Sequence, residues 1–191
     1  MEEDRARLLA AIEKSPLLAP LLRRWDEIAL PDCRIVAGAL AQTVWNDRFG
    51  YAPDHGIVDI DIVYFDQDDL SERGEAHEAA RIRALFPEIP AWLDVKNEAR
   101  VHLWYAGRFG FEIAPYASMA DAISTFPTTA TSIGIRPGAG GIAIEAPFGL
   151  SDLMSATVRP NKTQVSRDVY EAKVGRWQAL WPELTVMRWD D

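Results

Sequence analysis

The chain has 191 residues, a formal net charge of −9, and hydrophobic and aromatic contents of 48% and 10%. This length fits one domain, and the apolar content is too high for a disordered or low-complexity protein. One cysteine and three histidines exclude a disulfide framework and argue against a zinc site made of cysteine or histidine. We expect Cys33 to be an inert thiol in the core.

Charge and hydropathy also limit the kinds of partner that we expect for this chain. No run approaches the ~18 consecutive apolar residues of a membrane span. Residues 1–5 are acidic where a secretory signal would be basic and then apolar, so we expect a cytoplasmic protein. Acidic residues outnumber basic ones by 29 to 20 without a basic run, and no long nucleic acid is therefore expected as a partner. A small anionic substrate that binds through a metal ion is still compatible with this charge.

The apolar periodicity predicts helices and strands that alternate along the chain. In chain order the pattern predicts helices within 3–29, a strand over 33–37, a helix over 39–49, a strand over 57–65, a helix over 71–86, a strand over 92–105, a short helix over 118–126, a β-hairpin over 130–146, a short helix over 151–156, a helix over 166–180 and an edge strand over 184–189. Pro16 and Pro20 are predicted to divide the first segment into two short helices. Ser71 and Ser118 are candidate N-caps.

This order indicates an α/β or α+β fold with a mixed β-sheet flanked by helices. We expect a single domain over 1–191 with its core at about 30–165. A helical segment at 3–29 precedes this core, and a hairpin and the helix at 166–180 complete its C-terminal part.

Two carboxylates on the strand at 57–65 need an explanation. Alternation places Asp59 and Asp61 on one face, roughly 6–7 Å apart along the strand. Close anions in a partly buried strand repel one another and lose hydration, whereas a bound divalent cation removes both penalties. The alternative is an ordinary solvated face of an edge strand.

The predicted strand at 92–105 adds a third carboxylate and two cations. Alternation groups five residues on one face: Asp94, Lys96, Glu98, Arg100 and His102. If this strand lies beside the first, Asp94 approaches Asp59 and Asp61, while Lys96 and Arg100 lie where phosphate charge would sit. The alternative is again a solvated charged face.

Gly38 lies at a predicted turn from strand to helix. The N-terminus of a helix presents free backbone N–H groups, and glycine lets a phosphate approach the backbone closely. The chain therefore has a strand, a glycine turn, a helix, a strand with Asp59 and Asp61, a helix, and a strand with Asp94.

That order resembles the DNA polymerase β-like nucleotidyltransferase superfamily, whose signature combines a Gly-Gly/Ser turn, an Asp-x-Asp/Glu strand and a later carboxylate. The matching residues here are Val36-Ala37-Gly38-Ala39, Val58-Asp59-Ile60-Asp61-Ile62 and Leu93-Asp94-Val95. More narrowly, five segments are similar to a bacterial family of nucleotidyltransferase-like proteins: 37–46, 59–66, 95–102, 146–153 and 158–161. The resemblance covers about residues 30–165.

The resemblance implies transfer of a nucleoside monophosphate from an NTP to a hydroxyl of a small molecule or protein, with Mg²⁺ or Mn²⁺ as cofactor. Asp59 and Asp61 would hold metal ions on the triphosphate, and Asp94 would hold the second ion and help ionise the acceptor. The turn at Gly38 would bind the β- and γ-phosphates. Ala39 replaces the usual Ser or Gly, so a hydroxyl contact to phosphate is lost while the backbone N–H remains.

Two other functions stay open. One is a nucleotide-binding or partner-binding module that kept the fold and lost turnover, for which Ala39 is the main sign. The other is an Asp-x-Asp glycosyltransferase, which the early glycine turn and the small chain argue against.

Further candidate substrate contacts are Asn97, His102, Arg159 and Asn161. The tryptophans, Trp45 and Trp104 among them, are expected mainly in the core, although they could stack a base.

Overall fold

The computed structural model describes residues 2–191. Its N-terminal segment forms three helices: α1 (Glu2–Lys14), α2 (Leu18–Arg23) and α3 (Trp25–Ile28). The predicted break at Pro16 is confirmed, and the Ser15 hydroxyl there accepts a hydrogen bond from the backbone N–H of Leu18 at 3.3 Å. Pro20 does not break the chain because it lies in the first turn of α2, where a missing N–H costs no helical hydrogen bond.

A mixed five-stranded sheet follows, as the sequence predicts. Its strands are β1 (Arg34–Val36), β2 (Asp59–Tyr64), β3 (Trp92–Asn97), β4 (Gly134–Gly138) and β5 (Gly141–Glu145). Their order across the sheet is β3-β2-β1-β4-β5. Only β2 and β3 run parallel; the other neighbours are antiparallel, and β4 and β5 form the predicted hairpin.

One face of the sheet carries the main apolar core. It packs against α4 (Gly38–Phe49) and α5 (Glu72–Leu85), both at their predicted positions. Strand alternation turns Ile60 and Ile62 into this core, where they join Trp45 of α4 and Ile82 of α5. Ser71 caps α5 as predicted, since its hydroxyl accepts from the Gly74 N–H at 3.0 Å.

The opposite face of the sheet carries the carboxylates and is partly covered by α6 (Val101–Phe109) and α7 (Met119–Ser124). Met119 and Ile123 of α7 pack against Val36 and Val63. Gly134 lets α7 pack closely here, because a Cβ there would lie 2.8 Å from Cδ1 of Ile123 and this side chain would have to move.

The prediction of one long strand over 92–105 is wrong. β3 ends at Asn97, whose side chain accepts from the Ala99 N–H at 3.1 Å and donates to the carbonyl of Asp66 at 2.8 Å. The chain then turns through a 3-10 helix at Glu98–Arg100 and continues as α6. A buried amide that binds both the preceding loop and the next turn stops the strand there.

The C-terminal part holds α8 (Ser151–Ser155), β6 (Thr157–Val158), α9 (Arg167–Leu180) and β7 (Thr185–Val186). The two helices confirm the predictions for 151–156 and 166–180. The predicted edge strand at 184–189 is shorter, and it pairs in parallel with β6 in a separate two-stranded sheet. Within residues 2–191, no helix combines the length and apolar character needed to cross a membrane.

Candidate active site

The turn between β1 and α4 has a strained backbone. Ala37 has φ 57° and ψ −126°, a conformation that favours glycine. Its N–H donates to the carbonyl of Ile133 at 3.0 Å, which fixes the turn to the segment before β4. Gly38 then begins α4, so the first N–H groups of this 12-residue helix lack helical partners. Strain at a turn with free N–H groups is typical of a ligand-binding position.

Register places this turn beside the carboxylates. Val36, two residues before Gly38, is the antiparallel partner of Asp61. On the other side of β2, Asp61 is the parallel partner of Asp94, and Asp59 is the partner of Trp92. Paired residues in neighbouring strands share a face. The structure thus brings the three aspartates to one face of two adjacent strands.

A cavity of about 360 Å³ joins the turn to the carboxylates and to α9. It is lined by Gly38, Gln42, Gly56, Val58, Asp59, Asp61, Lys173, Arg176, Trp177 and Leu180. Lys173 and Arg176 place cations opposite the two aspartates. Sequence reasoning missed both residues, because the helix at 166–180 was predicted without an orientation.

Two tryptophans dock α9 against α4. Trp177 and Trp181 meet the ring of Trp45 edge-on, with centroid distances of 5.4 and 5.7 Å. The indole N–H of Trp181 also donates to the side-chain oxygen of Asn46 at 2.7 Å. Gly56 has φ 69° and no Cβ, and a Cβ there would come within 2.7 Å of the Trp181 ring. This packing holds α9 with Lys173 and Arg176 at the cavity.

The charges at the cavity are strongly coupled. Burial, the Asp59 carboxylate and the Asp94 carboxylate raise the pKa of Asp61 to about 7, while Lys173 and Lys96 oppose this change. Burial and Arg176 lower the pKa of Lys173, against the attraction of Asp61. Burial is thus the main reason that the neutral form of Asp61 is favoured, and the neighbouring aspartates add to it.

This donor set fits a divalent cation. Carboxylate oxygens are the ligands that Mg²⁺ prefers, and Mg²⁺ is commonly bound by one or two protein carboxylates together with substrate phosphates and water. Asp59 and Asp61 provide such a pair beside the turn at Gly38, which has free N–H groups. Among residues 2–191 no three histidine, cysteine, aspartate or glutamate side chains form a ready-made metal group. The pair alone would leave the other coordination positions of an ion to phosphate and water oxygens.

Gln42 has an amide without a partner. The residue lies one turn into α4, next to Gly38, and only 7% of its surface is exposed. Its side-chain oxygen is buried and has no hydrogen-bond partner among the described residues. A buried amide without a partner costs about 1–3 kcal/mol. The oxygen needs a donor, whereas the side-chain NH2 group of Gln42 lies beside Gly38 at the cavity and is placed to donate to a ligand.

Arg100 does not lie where strand alternation placed it. It belongs to the 3-10 turn, is buried, and donates to the Glu75 carboxylate at 2.8 Å and to the Leu70 carbonyl at 3.2 Å. The expectation failed because β3 ends three residues earlier. Lys96 is still on β3 on the carboxylate face, and its ammonium lies 3.6 Å from Asp94 and 3.9 Å from Glu75.

The remaining candidates are held by structural contacts. Asn97 is fully buried and joins β3 to the loop after β2. Asn161 donates to the carbonyls of Ser124 and Phe126 at 2.7 and 2.9 Å, and the exposed Arg159 pairs with Asp152 at 3.1 Å. None of these side chains lines the cavity that Asp59 and Asp61 share.

Two further titratable residues, Glu98 and His102, follow the end of β3. Glu98 is buried, and burial together with the charges of Asp61 and Glu75 raises its pKa to about 8. His102, predicted on a strand, lies in α6, where its Nδ1 is buried and has no partner among residues 2–191. Both residues lie after the strand end and outside the cavity.

The small and aromatic candidates are buried. Ala39 is buried in the first turn of α4, so its methyl group faces the core and its backbone N–H is left to the turn. Trp45 belongs to the core as expected. Trp104 is half-buried and stacks against Tyr105, with a centroid distance of 6.1 Å.

Comparison with known proteins shows the family and the fold. A family model described as nucleotidyltransferase matches residues 23–186. A solved structure, described as an NMR structure that reveals a CCA-adding enzyme head domain, aligns with a TM-score of 0.78 at 25% sequence identity. The alignment covers 95% of this chain and 94% of that chain. None of the curated proteins matches the chain.

Proposed function

Because the chain belongs to the nucleotidyltransferase family, we propose that it transfers a nucleoside monophosphate from an NTP to a hydroxyl of a small molecule or protein. One observation carries this proposal. The strained turn at Gly38, the Asp59–Asp61 pair and two cations line a single cavity. A phosphate chain needs these three features together: free N–H donors, carboxylates for a cation, and positive charge.

In this proposal the triphosphate lies along the cavity from α4 to β2. The free N–H groups at Gly38 and the side-chain NH2 group of Gln42 donate to the β- and γ-phosphates. Lys173 and Arg176 neutralise these phosphates from the α9 side. The Gln42 amide thereby takes over the contact that the family's serine makes and that Ala39 cannot make.

The acceptor would approach from β3. Its hydroxyl oxygen attacks the α-phosphorus, the bond from that phosphorus to the bridging oxygen breaks, and pyrophosphate leaves. Asp94 is the carboxylate that orients the hydroxyl and accepts its proton, with Lys96 beside it. Mg²⁺ or Mn²⁺, held by Asp59 and Asp61 with a second ion at Asp94, would neutralise the phosphates and lower the pKa of the hydroxyl.

The test is a calorimetric titration with ATP, GTP, CTP and UTP in Mg²⁺, in Mn²⁺ and in EDTA, followed by mass spectrometry for nucleotidyl adducts. We expect at least one NTP to bind only with a divalent cation, and Asp59→Asn to abolish that binding. Glu13→Gln, an exposed carboxylate on α1, is the matched control. Equal NTP affinity in EDTA and in Mg²⁺ would contradict the metal assignment.

A second candidate, a nucleotide-binding module without turnover, is favoured by one observation. No three carboxylates form a ready-made metal group within residues 2–191, and Asp94 lies within 3.6 Å of the Lys96 ammonium. In this case Mg²⁺-dependent NTP binding would persist without any adduct or pyrophosphate, and Asp94→Asn would change nothing. The same titration and mass spectrometry separate the two candidates.

A further inference from the structure

An exposed tryptophan stands next to the carboxylates. Trp92 begins β3 and is 57% exposed, which is unusual for so large an apolar residue. It is the direct parallel partner of Asp59 and precedes Asp94 by two residues. All three side chains therefore share one face, and Trp92 lies about 6.6 Å from Asp94 along the strand. Trp92 is not part of the cavity that α9 closes.

The ring of Trp92 is held in place from one side. The Arg83 guanidinium lies 3.8 Å from the ring centroid, and its Nε donates to the Leu93 carbonyl at 2.8 Å. Arg83 belongs to α5 and is fixed to the backbone of β3, the edge strand, so it holds the indole at the free edge of the sheet. With one ring face covered and more than half of the residue exposed, the other face is open to solvent.

The geometry of the proposed reaction indicates which of the two substrates lies beside Trp92. In phosphoryl transfer the attacking and leaving oxygens stand on opposite sides of the phosphorus. The leaving pyrophosphate is assigned to Gly38, which follows β1, while Asp59 and Asp61 lie on β2 between β1 and β3. The attacking hydroxyl must then come from the β3 side, where Asp94 and Trp92 are neighbours.

We propose that Trp92 is the stacking surface of the acceptor site and that the acceptor is a small molecule with a flat aromatic or heteroaromatic ring close to its hydroxyl. This inference rests on the proposed function and names the class of its second substrate. With the ring on Trp92 and the hydroxyl at Asp94, the spacing along β3 requires the two groups to lie within a few bonds of each other. Stacking on one open ring face favours planar partners.

Two observations support an aromatic small molecule over other ring-bearing acceptors. The Arg83 cation draws electron density from the covered face of Trp92, which makes the open face a weaker partner for the C–H groups of a sugar and a better one for a flat π-system. An RNA acceptor would need a cationic path for its backbone. The chain instead carries nine more acidic than basic residues.

The experiment uses matched pairs of probes and the indole N–H signals of ¹⁵N-tryptophan-labelled protein. The pairs are benzyl alcohol against cyclohexylmethanol, and adenosine against ribose, in Mg²⁺ and a non-hydrolysable NTP. The Trp92 signal is the one that Trp92→Phe removes. We expect a saturable shift of this signal with a planar probe, and none with its non-planar partner.

Variants then test whether the probe stacks on the ring of Trp92 or binds to any exposed aromatic side chain. Trp92→Leu should weaken binding of the planar probe about tenfold, and Trp92→Phe should restore it to within about threefold, with melting temperatures reported for both. Phe148→Leu, which changes another exposed aromatic residue, should bind like the wild type. No saturable shift with benzyl alcohol or adenosine, or equal shifts with the non-planar partners, would overturn the proposal.

NTP affinity is measured separately without a probe. If Trp92→Leu weakens NTP binding as strongly as probe binding, the ring stacks the nucleobase and the acceptor assignment is wrong. If a short RNA ending in adenosine binds more than about a hundredfold tighter than adenosine, the acceptor is a polynucleotide and not a small molecule. Failure of the proposed function itself would appear differently, as NTP binding that does not respond to Asp59→Asn.

Discussion

Asp61 of β2 and Asp94 of β3 are direct partners in a parallel strand pair, so two carboxylates share one face of the sheet at neighbouring positions. In the absence of a cation their repulsion adds to the burial that raises the pKa of Asp61 to about 7. Removing one negative charge should therefore stabilise the fold while it damages the site.

Asp61→Asn tests this conflict between stability and binding. In EDTA at pH 8 the variant should be more stable than wild type by about 1–2 kcal/mol, because a carboxylate in a repulsive environment is replaced by a neutral amide. The same variant should lose Mg²⁺-dependent NTP binding. Urea unfolding and calorimetry measure the two effects. A variant less stable than wild type in EDTA would show that Asp61 is held by favourable contacts.

Gln42→Leu should likewise weaken NTP binding without loss of stability, and here the charge does not change. The side-chain oxygen of wild-type Gln42 is buried without a partner, so an apolar side chain of similar size should leave the free energy of unfolding unchanged or raise it by about 1 kcal/mol. Loss of a donor to phosphate should weaken NTP binding roughly tenfold, about 1.4 kcal/mol. Gln67→Leu, at an exposed glutamine, is the control. Unchanged NTP affinity in Gln42→Leu would remove Gln42 from the phosphate site.

Lys173→Met tests the α9 wall of the cavity. Its ammonium faces Asp61 and Asp59, and the methylene stem is retained in methionine. We expect NTP affinity to fall by about 1.5–3 kcal/mol, the range of a hydrogen bond to a charged group. Lys14→Met removes only an exposed ion pair with Asp47 and should change neither affinity nor stability measurably. Equal NTP affinity in Lys173→Met and wild type would place the triphosphate elsewhere.

Arg100→Ala should lower the stability of the fold and have little effect on NTP affinity. The change leaves the buried Glu75 carboxylate without its closest cation, and breaking a buried pair costs about 3–5 kcal/mol. Arg159→Ala, which breaks an exposed pair with Asp152, should cost less than about 1 kcal/mol. Denaturant unfolding compares the two variants. If Arg100→Ala keeps wild-type stability and loses NTP affinity, Arg100 is a phosphate contact after all.

Glu98 should make the metal-free protein less stable as pH rises. Its pKa in the fold is about 8, well above the usual value, so the folded state holds a proton that the unfolded chain releases. Between about pH 5 and 7 this difference lowers the free energy of unfolding by the order of 1 kcal/mol per pH unit. Glu98→Gln should flatten that slope and be the more stable protein at pH 8. Parallel stability curves for variant and wild type would refute this assignment.

The sequence predicted the order of the elements because apolar periodicity and glycine turns are local signals. It also predicted the shared face of Asp59 and Asp61, since strand alternation decides that locally. The approach of Asp94 to them was predicted from alternation only on the condition that the two strands are neighbours, and the pairing of β2 and β3 now meets that condition.

Two errors have physical causes that a pattern of residue types does not carry. Charged residues at 94, 96, 98, 100 and 102 alternate like a strand, but the hydrogen bonds of Asn97 to the Asp66 carbonyl and the Ala99 N–H end it. The other error was to overlook Lys173 and Arg176. Their place at the cavity depends on how Trp177 and Trp181 dock against Trp45, which is a tertiary contact.

The docking of α9 has a consequence for the order in which the protein is made. The Gly38 turn and the three aspartates are synthesised well before Lys173 and Arg176. A nascent chain at that stage carries a cluster of negative charge without the cations that face it. The cavity is completed only when α9 emerges from the ribosome and its tryptophans reach Trp45. The proposed nucleotide site is therefore incomplete until α9 has been made and has docked.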